Sequence, residues 1–265
     1  MQPNENFSFA HCRETADWLL AHSKQCPKIA IICGSRLGPL EDSLMNPVSF
    51  RYADIPNFPR CTVKGHDGHL VFGELQGKLT VCMRGRFHVY EGYPLWQTCE
   101  CLNARISRKV TSSSLSLTVN GRFGPHFLAL LGAYNRQLCA LAMETARCPG
   151  YASFARQGVD CVVGGPGFES VAEAWLLQML GADAVGMSTA AEVLVARHCG
   201  LRVFGLSLIT GQVRKDYNAK EPTDHQGVLE ASQRRVASLQ ALLAGLVGGL
   251  DCRSGSTTEE PKNSA

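Results

Sequence analysis

Residues 159–198 read VDCVVGGPGFESVAEAWLLQMLGADAVGMSTAAEVLVARH. The apolar run at 159–163 predicts a strand that ends at a glycine-rich turn, and residues 171–180 follow with the pattern of a helix. A second strand is predicted at 184–187 and a second helix at 190–198. Strands and helices that alternate at this spacing are typical of a mostly parallel sheet covered by helices.

The rest of the chain extends this pattern in both directions. Towards the N-terminus we predict a helix around Leu19, a buried strand at 29–32 and two strands within 70–83. Towards the C-terminus we predict a long strand at 201–209 and an amphipathic helix at 228–247. These elements together predict an α/β fold with a central mixed, mostly parallel β-sheet flanked by helices.

The length of the chain suits one domain. It has 265 residues, of which 45% are hydrophobic, and this is enough to bury a single sizeable core. We place that domain at residues 1–250. Residues 251–265 are polar and rich in Ser, Thr and Glu, so we expect a disordered tail there.

The net charge and the positions of the cysteines indicate which partners and which cellular location to expect. A net charge of +3 is too small to favour nucleic acid or a membrane surface as a partner. The polar start of the chain lacks the profile of a signal peptide, and no run reaches the roughly 18 apolar residues of a membrane span. Several of the 12 cysteines lie in apolar, strand-like runs. We therefore expect reduced thiols and a cytoplasmic location.

Three short motifs contain groups that could hold an oxyanion near strand ends. They are Gly34-Ser35-Arg36-Leu37-Gly38, Gly65-His66-Asp67-Gly68 and the run from Arg84 to Tyr93, which contains Arg86, His88 and Tyr90. Backbone N–H groups of a small-residue turn, a guanidinium and an imidazole can all donate hydrogen bonds to phosphate. Taken singly, each motif is more often an ordinary turn, a cap or a surface residue.

Two later motifs suit a base and a sugar. In Gly165-Pro166-Gly167-Phe168-Glu169-Ser170, an aromatic ring lies beside a carboxylate that could accept hydrogen bonds from a purine. In Gly186-Met187-Ser188-Thr189, a methionine and a hydroxyl end another predicted strand. The plain alternatives are a glutamate that complements a helix dipole, a core methionine and a helix-capping serine.

Longer stretches resemble one known family, the trimeric, low-molecular-mass class of purine nucleoside phosphorylases. The matching stretches are 31–35 (IICGS), 55–60 (IPNFPR), 85–88 (GRFH), 93–96 (YPLW), 181–188 (GADAVGMS) and 196–205 (ARHCGLRVFG). The resemblance covers about residues 7–97 and 121–248. It implies a phosphorylase/hydrolase-like fold, a homotrimer, and phosphorolysis of inosine and guanosine to free base and ribose 1-phosphate.

The resemblance also implies roles for individual residues. The catalytic residues would be His88 and Glu169. Phosphate would be bound by Ser35, His66, Arg86, His88 and Ser188, and the nucleoside by Tyr90, Phe168, Glu169, Met187 and His225. Phosphate is then a co-substrate, and no metal or organic cofactor is implied.

This sequence departs from the family in three places. Nothing in residues 98–119 matches the family's strand and its Asn-Ala-Ala-Gly-Gly loop, and the chain is a few tens of residues short there. Gly211 stands where the family usually has an asparagine that donates to purine N7, and Arg36 replaces a glycine. The alternating pattern at 115–119 could fill the empty strand position.

These departures leave other interpretations open. One is a catalytically impaired or inactive relative that binds purine or phosphate, or assembles with active homologues. Another is that 98–119 comes from alternative splicing or a wrong reading frame. A third is a methylthioadenosine phosphorylase of the same architecture, although the Glu169 carboxylate favours 6-oxopurines, whose ring N–H it can accept.

Overall fold

The strands among the described residues form two sheets. The computed structural model describes residues 9–34, 38–63, 67–93, 129–147, 151–218 and 225–251. The larger sheet has the order β1–β4–β3–β2. Its strands are β1 (Ile29–Cys33), β2 (Met45–Arg51), β3 (His69–Leu75) and β4 (Lys78–Arg84). The smaller sheet pairs β5 (Asp160–Val162) with β6 (Ala184–Gly186) in parallel.

The larger sheet is mixed because of one tight turn. β1 pairs with β4 in parallel, whereas β3 is antiparallel to both β2 and β4. Gln76 and Gly77 join β3 to β4, and both have positive φ angles, 52° and 70°. Such a two-residue turn reverses the chain and makes the two strands an antiparallel hairpin. The mixed sheet agrees with the predicted fold class, with a larger antiparallel share than we expected.

Five α-helices accompany the sheets in the described part of the chain. They are α1 (Phe9–Ser23), α2 (Arg136–Ala146), α3 (Val171–Met179), α4 (Ala190–His198) and α5 (His225–Gly249). Side chains fix where two of them begin: Asn135 accepts from the backbone N–H of Leu138 at the start of α2, and Ser170 and Glu173 form a capping box at the start of α3. Within the described residues, no helix is both long and apolar enough to cross a membrane.

The larger sheet has a hydrophobic core on each face, because successive side chains of a strand point to opposite sides. Leu70 and Phe72 of β3 pack on one face against residues that include Leu19 of α1 and Val195 of α4. Val71, also of β3, packs on the other face in a cluster that includes residues of α5. Helices therefore cover both faces, as the predicted α/β fold requires.

One predicted strand is wrong. Residues 201–210 are not assigned to a strand, although their composition is that of one. The backbone N–H of Asn135 donates to the carbonyl oxygen of Val203 (2.8 Å), and Ser207 Oγ donates to Asp160 Oδ2 (2.7 Å). A strand needs a partner with which to form its ladder, and a local pattern cannot show whether that partner is in place.

Some predictions fall outside the described part of the chain. These are the atypical segment 98–119 and residues 252–265, which form nearly all of the expected tail. Two half-buried cysteines, Cys61 and Cys199, are free thiols. Burial raises the pKa of Cys61, beside the charges of Glu91 and Asp67, and that of Cys199, each to about 12. Such thiols are unreactive near neutral pH.

Candidate active site

Arg86 lies where the ends of three strands meet. It follows β4 after Gly85, and its Nη1 donates to Ser188 Oγ (2.6 Å) and Thr189 Oγ1 (3.2 Å), just beyond β6. Its Nη2 donates to the carbonyl oxygen of Ile32 in β1 (3.3 Å). The structure therefore brings together Arg86 and Ser188, two of the predicted phosphate ligands that lie about a hundred residues apart.

The turn that presents Ser188 is strained. Thr189 has a φ angle of 77°, in a region that a β-branched residue seldom adopts, and it directly precedes α4. Its hydroxyl reaches Arg86 from this position. Strained backbone of this kind is common where a protein fixes side chains for binding.

His88 is buried and held by Glu91. Its Nδ1 lies 2.7 Å from Glu91 Oε1, and its backbone N–H donates to the same oxygen (3.1 Å). The other carboxylate oxygen, Oε2, accepts from Thr62 Oγ1 (2.6 Å) and from the backbone N–H of Thr62 (3.3 Å). Burial alone would raise the pKa of Glu91, but the hydrogen bonds from Thr62 and His88 outweigh it and hold this pKa below its ordinary value. An ionised Glu91 accepts a hydrogen bond from the Nδ1–H group of His88 and so fixes the orientation of the imidazole ring.

Tyr90 and Met187 meet at a glycine. The ring of Tyr90 stacks on that of His88, with 4.6 Å between ring centroids. A Cβ atom on Gly165 would lie 2.7 Å from Met187 Sδ and 3.2 Å from Tyr90 Cδ1. Gly165 also has a φ angle of 65°. Both predicted ribose contacts therefore lie against the turn after β5, beside the histidine of the predicted phosphate site.

Phe168 and Glu169 follow the same turn, between β5 and α3. Phe168 is exposed and Glu169 is half-buried. The capping box at the start of α3 is formed by Ser170 and Glu173, so Glu169 lies one residue before the helix cap. The plain alternative for Glu169, that it complements the helix dipole from the first turn, therefore applies to Glu173 instead.

The other predicted site residues cannot be placed. Ser35, Arg36 and His66 lie outside the described residues, as does the side chain of His225, the first residue of α5. The described ranges hold no group of three or more His, Cys, Asp and Glu side chains that could bind a metal ion.

Sequence reasoning missed the acidic partners of two site residues. Glu91 binds His88, and Glu192 of α4 lies 3.5 Å from Arg86 Nε. A carboxylate three residues after His88, and another three residues after the turn at Thr189, were visible in the sequence. Spacing of this kind is so common at turns and helix starts that it does not single out a site.

Comparison with known proteins agrees with the resemblance seen in the motifs. The model of the phosphorylase superfamily matches residues 102–248. The purine nucleoside phosphorylase of Bos taurus is 40% identical over 280 residues, which cover 92% of this chain and 96% of the bovine protein. Because 92% of this chain is about 244 residues, about 36 of the aligned positions face gaps in it.

Solved structures show the same likeness. The purine nucleoside phosphorylase of Schistosoma mansoni in complex with inosine superposes with a TM-score of 0.83 at 32% identity, over 91% of this chain and 97% of that one. A schistosoma purine nucleoside phosphorylase in complex with hypoxanthine gives 0.84 at 32% identity, over 91% and 98%. With a relative 40% identical along nearly its whole length, this chain belongs to the purine nucleoside phosphorylases of the phosphorylase superfamily.

Proposed function

We propose that this chain phosphorolyses purine ribonucleosides, inosine and guanosine, to free base and ribose 1-phosphate in purine salvage. It would act as a pentosyl-transferring glycosyltransferase. The observation that carries the proposal is that Arg86 donates to Ser188, the neighbour of Met187, while Tyr90, stacked on His88, lies with Met187 against the turn at Gly165. Anion-binding donors thus lie next to a surface suited to a sugar. The related proteins that were solved with inosine and with hypoxanthine support the same reaction.

The proposed reaction exchanges one bond at the anomeric carbon of the ribose. A phosphate oxygen attacks that carbon, the bond to the base nitrogen breaks, and the electron pair of that bond leaves with the base. Positive charge develops on the sugar in between, and the bound phosphate dianion stabilises it. Arg86, His88 and Ser188 hold the phosphate on one side of the sugar. This route uses phosphate as co-substrate and needs no metal or organic cofactor.

Glu169 gives the proposal its base preference. A carboxylate accepts hydrogen bonds, and 6-oxopurines such as hypoxanthine and guanine present a ring N–H to it. A methylthioadenosine phosphorylase would bind a 6-aminopurine instead, whose unprotonated ring nitrogen would face the carboxylate without a hydrogen.

A second candidate is a relative with little or no turnover. Gly211 offers no side chain to the departing base, and about 36 aligned positions of the bovine enzyme face gaps in this chain. On this alternative the chain binds phosphate or purine, or assembles with active homologues. Neither observation changes Arg86, His88 or Ser188, which we propose as phosphate ligands.

The test is phosphate-dependent release of base from inosine and guanosine by the purified, folded chain. We expect turnover that disappears without phosphate, and a Glu169→Ala variant with kcat/KM reduced on the order of 10²-fold. Glu173→Ala is the matched control, because its carboxylate caps the same helix without facing the base. It should keep its kcat/KM. A folded wild-type chain without turnover would favour the second candidate.

The assembly that we propose is a cytoplasmic homotrimer. Trp175, Leu176, Met179 and Leu180 on and after α3 are large, apolar and exposed, and Met179 reaches 78% exposure. A cluster of this kind on one short helix suits contact with another subunit. Sedimentation velocity should give a mass about three times that of the 28.7 kDa chain. A species with the mass of a single chain would contradict the proposal.

A further inference from the structure

Glu192 contributes a buried negative charge to the predicted phosphate site. It is the third residue of α4 and only 8% exposed. Its Oε1 lies 3.5 Å from Arg86 Nε, and the Arg86 side chain is itself 14% exposed. Two opposite charges this close, and this poorly solvated, interact much more strongly than a surface pair does.

Groups other than Glu192 fix the orientation of the Arg86 guanidinium. Ser188, Thr189 and the carbonyl oxygen of Ile32 all accept from its two Nη atoms. These three acceptors are neutral, so they orient the guanidinium without cancelling its charge. The carboxylate of Glu192 lies at a different nitrogen of the guanidinium, Nε. The effect that Glu192 adds is therefore mainly on charge.

The negative charge of Glu192 affects the reaction proposed above, and this inference rests on that proposed function. Phosphate must bind to Arg86, and it must also keep enough negative charge to stabilise the cationic sugar in the transition state. An unopposed guanidinium would bind phosphate tightly and would withdraw that charge, which favours the ground state over the transition state. We propose that Glu192 is a positioning residue that offsets the charge of Arg86, and so weakens phosphate binding while raising the rate of the chemical step.

A plainer role for Glu192 would be to complement the dipole of α4. The chain contains a matched control for that role. Glu173 occupies the third position of α3, just as Glu192 occupies that of α4, and its hydrogen bonds are to Ser170. Glu173→Gln removes the same charge from the same position of a similar helix, away from Arg86. Any effect of the dipole alone should appear in both variants.

The experiment compares Glu192→Gln, Glu173→Gln and the wild-type chain in steady-state phosphorolysis of inosine. For Glu192→Gln we expect the KM for phosphate and kcat to fall together, each by about three- to tenfold, because the amide keeps the shape and loses the charge. The KM for inosine should stay the same. Glu173→Gln should leave all three constants unchanged. A loss of packing would raise the KM for phosphate, and a dipole effect would not move it.

A binding measurement separates this inference from the proposed function. Calorimetric titration with inorganic phosphate should show tighter binding to Glu192→Gln than to wild type by the same factor, whether or not either protein turns over inosine. A wild-type chain that binds phosphate but does not phosphorolyse inosine would contradict the proposed function. The comparison of phosphate binding would still test the role of Glu192.

Unchanged or weaker phosphate binding by Glu192→Gln would overturn the inference. If that variant does not fold, Glu192→Asp serves in its place. Because its side chain is shorter by one methylene group, its carboxylate lies farther from Arg86 and offsets less of the positive charge. Phosphate should therefore bind about twofold more tightly to Glu192→Asp than to wild type. Equal or weaker binding by Glu192→Asp would overturn the inference equally.

Discussion

Gly211 is a residue at which a single substitution should increase the rate of phosphorolysis. A Cβ atom there would meet no heavy atom of the described chain within 4 Å, and the backbone does not have a positive φ angle. Asparagine therefore fits without strain. It would supply the donor to purine N7 that the resemblance to the family implies at this position. We expect Gly211→Asn to raise kcat for inosine on the order of 10²–10³-fold, the usual value of one well-placed transition-state donor.

The control for this substitution is Gly211→Ala. It fills the same space and lowers the flexibility of the backbone in the same way, but it donates no hydrogen bond. Steady-state rates with inosine should therefore stay close to wild type for alanine and rise for asparagine. Equal rates for the two variants would mean that the missing donor does not limit this enzyme.

Gly165 is a residue at which the site should not tolerate even one methyl group. Alanine at this position would press on Met187 Sδ and on the Tyr90 ring and would hold an unfavourable φ angle of 65°. We expect Gly165→Ala to raise the KM for inosine at least about tenfold. A loss of about 1.4 kcal/mol in the binding free energy of inosine is enough for that change. Gly167→Ala is the control, because a Cβ atom there meets nothing within 4 Å in the described chain. If both variants behave like wild type, Met187 and Tyr90 do not contact the nucleoside.

Sequence reasoning singled out Arg86 and Ser188, which the structure brings together, and missed the carboxylates that lie beside the predicted site. Arg86 and Ser188 stand out because a guanidinium and a hydroxyl beside glycine turns have a recognisable chemistry. Glu192 and Glu91 do not, because carboxylates are ordinary at helix starts and in turns. Their role depends on distances to Arg86 and His88 that only the folded chain brings about.

At the scale of elements, the segment 201–209 differs most from expectation. Its apolar composition predicts a strand, but no strand is assigned there in the described chain. Elements with a local signal were predicted well. The β3–β4 hairpin follows from two apolar runs around Gln76 and Gly77, and α4 follows from its apolar spacing. In contrast, β2 was missed, and it contains Pro47, which weakens the pattern of a strand.

Hydrogen exchange should distinguish this segment from the larger sheet. Amide protons in a ladder exchange only when the ladder opens, whereas unpaired amides exchange readily. We expect the amides of residues 202–209 to exchange at least about 100-fold faster than those of Phe72 and Val81, which pair with each other across β3 and β4. Deuterium uptake followed by mass spectrometry gives this ratio. Equal protection would mean that 201–209 has a strand partner in solution.

The stability of the whole molecule should depend on pH through Glu91. This carboxyl has a folded-state pKa below its ordinary value of 4.5, held there by Thr62 and His88. The unfolded chain therefore takes up the proton first as the pH falls. The stabilisation is complete above about pH 4.5 and is lost as the pH drops through the lower, folded-state pKa.

Urea denaturation between pH 7 and pH 3.5 can measure this effect. The free energy of unfolding of the wild type should decrease in the acid part of that range. Glu91→Gln should be less stable at pH 7 by about 1–3 kcal/mol, because it disturbs a buried set of hydrogen bonds. Its stability should also decline less steeply in acid. Parallel pH curves for the two proteins would show that Glu91 is not the group responsible.

Lys78 joins the beginning of β4 to the very end of the last helix. Its Nζ donates to the carbonyl oxygens of Val247 and Gly248, each at 2.7 Å, across 169 and 170 positions of the chain. On the ribosome, residues 29–84 emerge early, and they contain all four strands of the larger sheet. α5 follows these strands much later in the chain. We therefore expect one apolar face of the nascent sheet to stay uncovered until α5 has left the ribosome, and a chain that stops before α5 to depend on chaperones.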